Sequence, residues 1–205
     1  MSRPRPTLSA VILAGGKSRR MGCDKAWVEW RGSPLIVRAV AKARQLGISE
    51  IFISGRPDGD YTTLGCPVLI DLQPGLGPLA GIERALSACT SPLLLVLAVD
   101  LPLLTITALE QLVAHCHGLT GVVPRCQGRL EPLAAIYPKR CRSFAIDGIL
   151  QGRHAVRDFA QACLRERAVQ SLRVSASRIA CFANWNHPSD LGWDHSSAPS
   201  REDER

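Results

Sequence analysis

The feature that most constrains this chain is the run Val11-Ile12-Leu13-Ala14-Gly15-Gly16-Lys17-Ser18-Arg19-Arg20-Met21-Gly22-Cys23-Asp24-Lys25, where an apolar strand passes without a break into a glycine-rich, cationic loop. Adjacent glycines reach backbone angles closed to other residues and put no side chain between the backbone and a ligand, so peptide N–H groups can approach phosphate oxygens directly. Lys17, Arg19, Arg20 and Lys25 supply the compensating charge. The bland alternative is a solvated basic loop after an edge strand. Two glycines and four cations rarely coincide without an anion to bind.

Two common phosphate loops are excluded by counting. A Walker A loop needs Gly, four residues and then Gly-Lys-Ser/Thr, but Arg20 and Met21 stand five residues after Gly15 and Gly16, and Gly22 is followed by Cys23. The dinucleotide fingerprint needs Gly-x-Gly-x-x-Gly, whereas here the glycines are adjacent and the next comes six residues on.

With 205 residues the chain fits one domain with a substantial core. Its longest apolar run, Leu93 to Val99, is too short to cross a bilayer, and Met1-Ser2-Arg3-Pro4-Arg5-Pro6-Thr7 lacks an apolar signal core. A cytoplasmic protein with no membrane contact is expected. None of the eight cysteines lies closer than ten residues to the next, so there is no Cys-x-x-Cys knuckle, and reduced, mostly buried thiols are expected. The net charge of +7 arises between Arg125 and Arg178, which hold eleven Lys/Arg and four Asp/Glu. That suits an anionic second substrate. Nucleic acid is disfavoured, because aromatics are only 5% and no binding motif accompanies the charge.

Along the chain, Pro34 to Gly47 reads as a helix with proline in its first turn and glycine at its end. Glu50 to Gly55 and Pro67 to Asp71 read as strands, the latter delivering Asp71 at its carboxyl end, and Leu79 to Cys89 as a helix burying Leu79, Ile82, Ala85 and Leu86. Pro92 to Asp100 lacks alternation, as a central parallel strand covered on both faces should, and ends in a carboxylate. Open α/β sheets bind ligands outside the carboxyl ends of their strands, so Asp71 and Asp100 both face the crevice of the glycine loop, where an acid can hold Mg²⁺ against a nucleotide. Then follow a helix from Thr105 to Cys116, strands at 121–124 and 133–137, helices at about Arg140 to Leu150 and His154 to Leu164, and strands around Val169 to Val174 and Ile179 to Phe182. On a strand Asn184 and Asn186 point the same way and can hold one polar ligand, with Asx-turn chemistry the alternative.

The loop Leu13-Ala14-Gly15-Gly16-x-Ser18-x-Arg20-Met21-Gly22-x-Asp24-Lys25 resembles, position for position, the molybdenum cofactor guanylyltransferases, the MobA-like family of the nucleotidyltransferase superfamily. Further motifs follow in family order: Gly77-Pro78-Leu79-Ala80-Gly81-Ile82, Asp100-x-Pro102, Glu131-Pro132-Leu133-x-Ala135-x-Tyr137, and Phe182-x-Asn184-x-Asn186-x-Pro188-x-Asp190-Leu191, with Val99 where many members have cysteine and His187 where they have threonine. The resemblance implies a three-layer α/β/α Rossmann-like nucleotidyltransferase fold with a mostly parallel sheet. It divides the chain into an extension over 1–8 and a single domain over 9–193 (nucleotide-binding half 9–104, cofactor-binding half 105–193); the polar residues 194–205 read as a disordered tail. It implies transfer of GMP from GTP to molybdopterin cofactor, with pyrophosphate released, Mg²⁺ as cofactor, and a molybdoenzyme or its chaperone receiving the product.

The residue roles carried over are specific. Leu13, Ala14, Gly15, Gly16, Lys25, Ser54, Asp71 and Asp100 bind GTP; Arg20, Lys25 and Asp100 are catalytic, with Asp100 the metal ligand; Asn184, Asn186 and Arg153 bind molybdopterin. The family's arginine follows a glycine by two or three residues, whereas this chain has Gly152-Arg153-His154-Ala155 and then Arg157, so either arginine can inherit that contact. A cytidylyltransferase of the same cofactor typically has Ala-Ala-Gly in place of Leu13-Ala14-Gly15-Gly16, which favours GTP. Ser54 replaces an asparagine found near the nucleotide in some guanylyltransferases. A sugar-1-phosphate nucleotidyltransferase lacks the paired terminal asparagines. A silent cofactor-delivery module would be marked by loss of Lys25 or Asp100, and both are present.

Overall fold

The computed structural model describes residues 6–15, 24–57, 59–70 and 76–185. In chain order its elements are β1 (Leu8–Leu13), β2 (Glu29–Trp30), β3 (Ser33–Pro34), α1 (Leu35–Gln45), β4 (Ile51–Gly55), β5 (Val68–Ile70), α2 (Pro78–Ala88), β6 (Leu93–Ala98), α3 (Ile106–Ala114), β7 (Gly121–Cys126), β8 (Arg129–Leu130), β9 (Ala134–Pro138), α4 (Arg142–Leu150), α5 (Val156–Arg165) and β10 (Val169–Arg173). The main sheet runs β10-β7-β9-β6-β1-β4-β5, with β8 paired to β7. Its neighbours are parallel except around β9, which is antiparallel to both β6 and β7, and β8.

The two strands without polar alternation, β1 and β6, pair in the middle of this sheet from Leu8↔Leu93 to Leu13↔Ala98, and every residue of both is buried. Helices on both faces are what permit it. The crossover from β1 through α1 to β4 moves one way along the sheet, and that from β5 through α2 to β6 moves the other way. Right-handed crossovers therefore place α1 and α2 on opposite faces, and α2 packs against α4 and α5.

Local signals explain the helix ends. α1 buries Leu35, Ile36, Ala39, Val40 and Ala43, one stripe at helical spacing. It stops at Gly47 (φ 77°), whose N–H donates to the Arg44 carbonyl at 2.8 Å while the Ile48 N–H donates to that of Ala43 at 3.2 Å. This is the glycine-terminated Schellman pattern. The Thr105 hydroxyl accepts the Ala108 N–H at 3.2 Å and caps α3.

Two differences from expectation stand out. Ile179 to Phe182 is not a strand: Ala176–Phe182 is a 3-10 helix, with the Arg178 N–H donating to the Ser175 carbonyl at 2.9 Å and only Phe182 buried. A four-residue apolar run carries no period that separates strand from helix, and here it turns the chain back from β10. The second is the hairpin β2–β3, closed by Arg31 (φ 52°) and Gly32 (φ 74°), both left-handed as a two-residue turn of matching twist requires. Of the seven cysteines described, all are free and five are buried. No helix among the described residues is long and apolar enough to cross a membrane.

Candidate active site

The carboxyl ends of β1, β4 and β6 meet where the order of connection reverses, the position at which doubly wound sheets open a crevice. There the Ala14 and Gly15 N–H groups both donate to the Ser54 carbonyl, at 2.8 and 3.0 Å, and the Leu13 carbonyl accepts the Val99 N–H at 3.2 Å. These amides are thus committed to the sheet. Leu13 and Ala14 are buried and Gly15 is exposed at the rim. Gly16 and Arg20, expected to continue the loop, lie outside the described residues, as do Asp71 and Asn186.

Ser54 is buried, and a β-carbon added to Gly81 of α2 would collide with its hydroxyl and approach Leu13 Cδ2 to 3.2 Å. Gly81 therefore lets α2 close down on the ends of β1 and β4. Ser54 works here through its carbonyl and its packing.

Lys25 opens a 3-10 turn, Lys25–Trp27, capped by Asp24, whose Oδ1 accepts the Ala26 N–H at 3.0 Å while Oδ2 lies 3.9 Å from Arg56. The fixed turn aims the Lys25 ammonium at the Trp185 carbonyl, to which it donates. The Trp185 N–H in turn donates to the Asp100 carbonyl at 2.9 Å. The segment before the Asn186 position thus crosses the end of β6 and joins Lys25 to Asp100.

Asp100 lies two residues beyond β6, half-buried, with Oδ1 buried and without a hydrogen-bond partner among the described residues. Burial raises its carboxyl pKa, and the Lys25 ammonium only partly opposes that. A carboxylate oxygen held dry and unpartnered is what an oxygen-seeking divalent cation would satisfy. Among the described residues no cluster of three His, Cys, Asp or Glu forms. That suits an ion shared between one carboxylate and substrate phosphates better than an all-protein cage.

At the start of β9, whose preceding Leu133 carbonyl accepts the Ala98 N–H at 2.9 Å, burial raises the carboxyl pKa of Glu131, and Arg157 and then Arg129 oppose the rise. Arg153 instead lines a groove of about 280 Å³ with Phe144, Asp158 and Arg165. Of the two arginines left open by the sequence, Arg157 is the one beside the Glu131-Pro132 motif. Asn184 is exposed, next to Trp185. Sequence reasoning passed over the aromatic and basic surroundings: Trp30 meets Trp185 edge-on at 5.3 Å, and Arg38 lies over the Trp30 ring at 4.5 Å. Lys42 donates to the Pro102 carbonyl at 3.2 Å, with its pKa lowered to about 8 by burial and by Arg38. The readable signal was the Arg38/Lys42 spacing of one helical turn.

Residues 10–167 match the family description "MobA-like NTP transferase domain". The chain is 40% identical to the molybdenum cofactor guanylyltransferase of Xanthomonas euvesicatoria pv. vesicatoria, covering 92% of this chain and 94% of that one. It is 34% identical to the probable molybdenum cofactor guanylyltransferase of Opitutus terrae, covering 93% and 96%. Among solved structures it is similar to the molybdopterin-guanine dinucleotide biosynthesis protein A of Archaeoglobus fulgidus, with a TM-score of 0.69 at 25% identity over 90% of this chain and 95% of that one. It shares the fold of the 2-C-methyl-D-erythritol 4-phosphate cytidylyltransferase of Thermus thermophilus, with a TM-score of 0.66 at 19% identity over 90% and 95%.

Proposed function

Because the chain belongs to the MobA-like NTP transferase family, we propose that it transfers GMP from GTP to molybdopterin cofactor, forming the guanine dinucleotide cofactor and pyrophosphate. The observation that carries this reading is the meeting of the Lys25 ammonium and the dry Asp100 carboxylate across Trp185, at the strand ends where the glycine loop begins. A site that must gather two polyanions needs such a paired cation and metal-seeking carboxylate.

A terminal phosphate oxygen of molybdopterin attacks the α-phosphorus of GTP, the α–β bridging bond breaks, and pyrophosphate leaves with that electron pair. The attacking oxygen is already ionised, so no side-chain nucleophile is required and catalysis reduces to alignment and charge stabilisation. Lys25, fixed by its capped turn, neutralises charge on the transferred and leaving phosphates, and Arg20 joins it from the loop. Asp100 would hold Mg²⁺, which when bound neutralises phosphate oxygens as a Lewis acid.

The nucleotide occupies the half built from β1, β4 and β6. Molybdopterin lies toward the basic second half, with Asn184, Asn186 and Arg157 beside it, and Arg153 farther along the groove between α4 and α5. The free, mostly buried thiols agree with a reducing compartment, which supports a cytoplasmic setting in which a molybdoenzyme or its chaperone takes the product. Turnover of an NTP panel with molybdopterin, Mg²⁺ and pyrophosphate detection tests the reading; no pyrophosphate with any NTP would overturn it.

A further inference from the structure

The hairpin β2–β3 stands outside the main sheet, yet it carries a half-buried indole held on several sides. The Arg38 and Arg31 guanidinium carbons lie 4.5 and 4.6 Å from the Trp30 ring centroid, and the Trp185 ring meets it at 5.3 Å and 85°, an edge-to-face contact. Arg38 Nε is buried and has no hydrogen-bond partner among the described residues, and the guanidinium lies over the ring face.

Trp185 uses its backbone for a different purpose. Its carbonyl accepts the Lys25 ammonium and its N–H donates to the Asp100 carbonyl at 2.9 Å. Backbone bonds of this kind can be made by any residue at 185. What selects this register among neighbouring ones is the side chain, because sliding the segment by one residue would withdraw the indole from Trp30 and replace it with Asn184.

We propose that Trp30 is a positioning residue: with Trp185 it forms an aromatic clasp that seats segment 183–185 across the end of β6, and through the Trp185 backbone it sets where Lys25 and Asp100 stand. The arginines on the ring hold Trp30 itself in place, so the clasp belongs to the fold and is present before substrate arrives. This deepens the reading of the site as a nucleotidyltransferase and rests on it for its effect on turnover; the clasp itself is a property of the protein alone.

The test pairs a readout that needs no substrate with one that does. Hydrogen exchange of the full-length protein is measured for the wild type, Trp30→Phe and Trp30→Ala, following the Trp185 amide against the core amides of β1 and β6. The clasp predicts faster exchange at Trp185 in Trp30→Ala, slower exchange again in Trp30→Phe, and an unchanged core. In turnover with GTP and molybdopterin, Trp30→Ala should lose about tenfold to a hundredfold in kcat, the scale of a misplaced reacting group, with KM for GTP within about twofold. Trp185→Ala should reproduce the loss, and the double variant should be no worse than either single one, because both remove the same contact.

Unchanged exchange at Trp185 in Trp30→Ala, or additive losses in the double variant, would overturn the clasp. A wild type inactive with every NTP would overturn the functional reading instead and leave the exchange comparison to decide the clasp. Should Trp30→Ala fail to fold, the Trp185→Ala and Trp30→Phe pair carries the same comparison.

Discussion

Lys25 and Trp185 stand 160 residues apart in the chain, and the ammonium of the first donates to the carbonyl of the second. One hydrogen bond thus ties the nucleotide loop to the tail motif, and the Trp185 N–H extends the tie to Asp100 at the end of the central strand. Both residues proposed to handle phosphate charge and metal are held by one short segment.

Lys25→Ala should lower kcat by roughly a hundredfold or more, the usual cost of removing a charge-stabilising donor from the transition state. Steady-state kinetics with both substrates checks it. A change confined to KM would mean that Lys25 binds ground state and transition state alike.

Asp100→Asn should abolish divalent-metal-dependent turnover and, at neutral pH, raise the melting temperature of the metal-free protein. The sign follows from burial. Asp100 has a carboxyl pKa raised above its ordinary 3.8, so the folded state binds this proton more tightly than the unfolded chain. The ionised group therefore costs stability at neutral pH, and that cost disappears as pH falls through the raised folded value toward 3.8. Thermal unfolding of both proteins should show a gap that narrows on acidification. A variant less stable at neutral pH would mean that attraction to Lys25 outweighs desolvation.

Gly81→Ala tests the seam between α2 and the strands that carry the loop. Alanine favours helix by about 1 kcal/mol over glycine, but its β-carbon would collide with Ser54 Oγ and come within 3.2 Å of Leu13 Cδ2. Overpacking should win, with a net loss of about 1–3 kcal/mol in denaturant unfolding. Turnover should fall too, because Ser54 anchors the Ala14 and Gly15 amides.

Asn184→Ala combined with Asn186→Ala should weaken molybdopterin binding by about 1–3 kcal/mol, the cost of leaving polar partners unsatisfied, and leave GTP affinity unchanged. Calorimetry on each ligand decides it. Equal losses for both would show that the tail serves the nucleotide site, and the two-sided arrangement would fall.

What the sequence made legible was local. The unalternating run of β6 announced a central strand, and Pro34 and Gly47 bracketed a helix, because each signal resides in a few neighbouring residues. Ile179 to Phe182 folds as part of a 3-10 helix, which four apolar residues fit as well as they fit a strand. The β2–β3 hairpin escaped because two-residue strands have no periodicity. Trp30, Arg38 and Trp185 meet only through the tertiary fold, and the choice between Arg153 and Arg157 depends on which way α5 leaves its loop.

GTP is the proposed donor, on the strength of the double-glycine loop and of the relatives the chain resembles. The most direct measurement is kcat/KM for GTP, CTP, ATP and UTP with molybdopterin and Mg²⁺, read as pyrophosphate released, because specificity is a ratio of transition-state energies that binding alone does not report. GTP should exceed every other nucleotide. CTP outperforming GTP in kcat/KM would contradict it and make the protein a cytidylyltransferase of the same architecture.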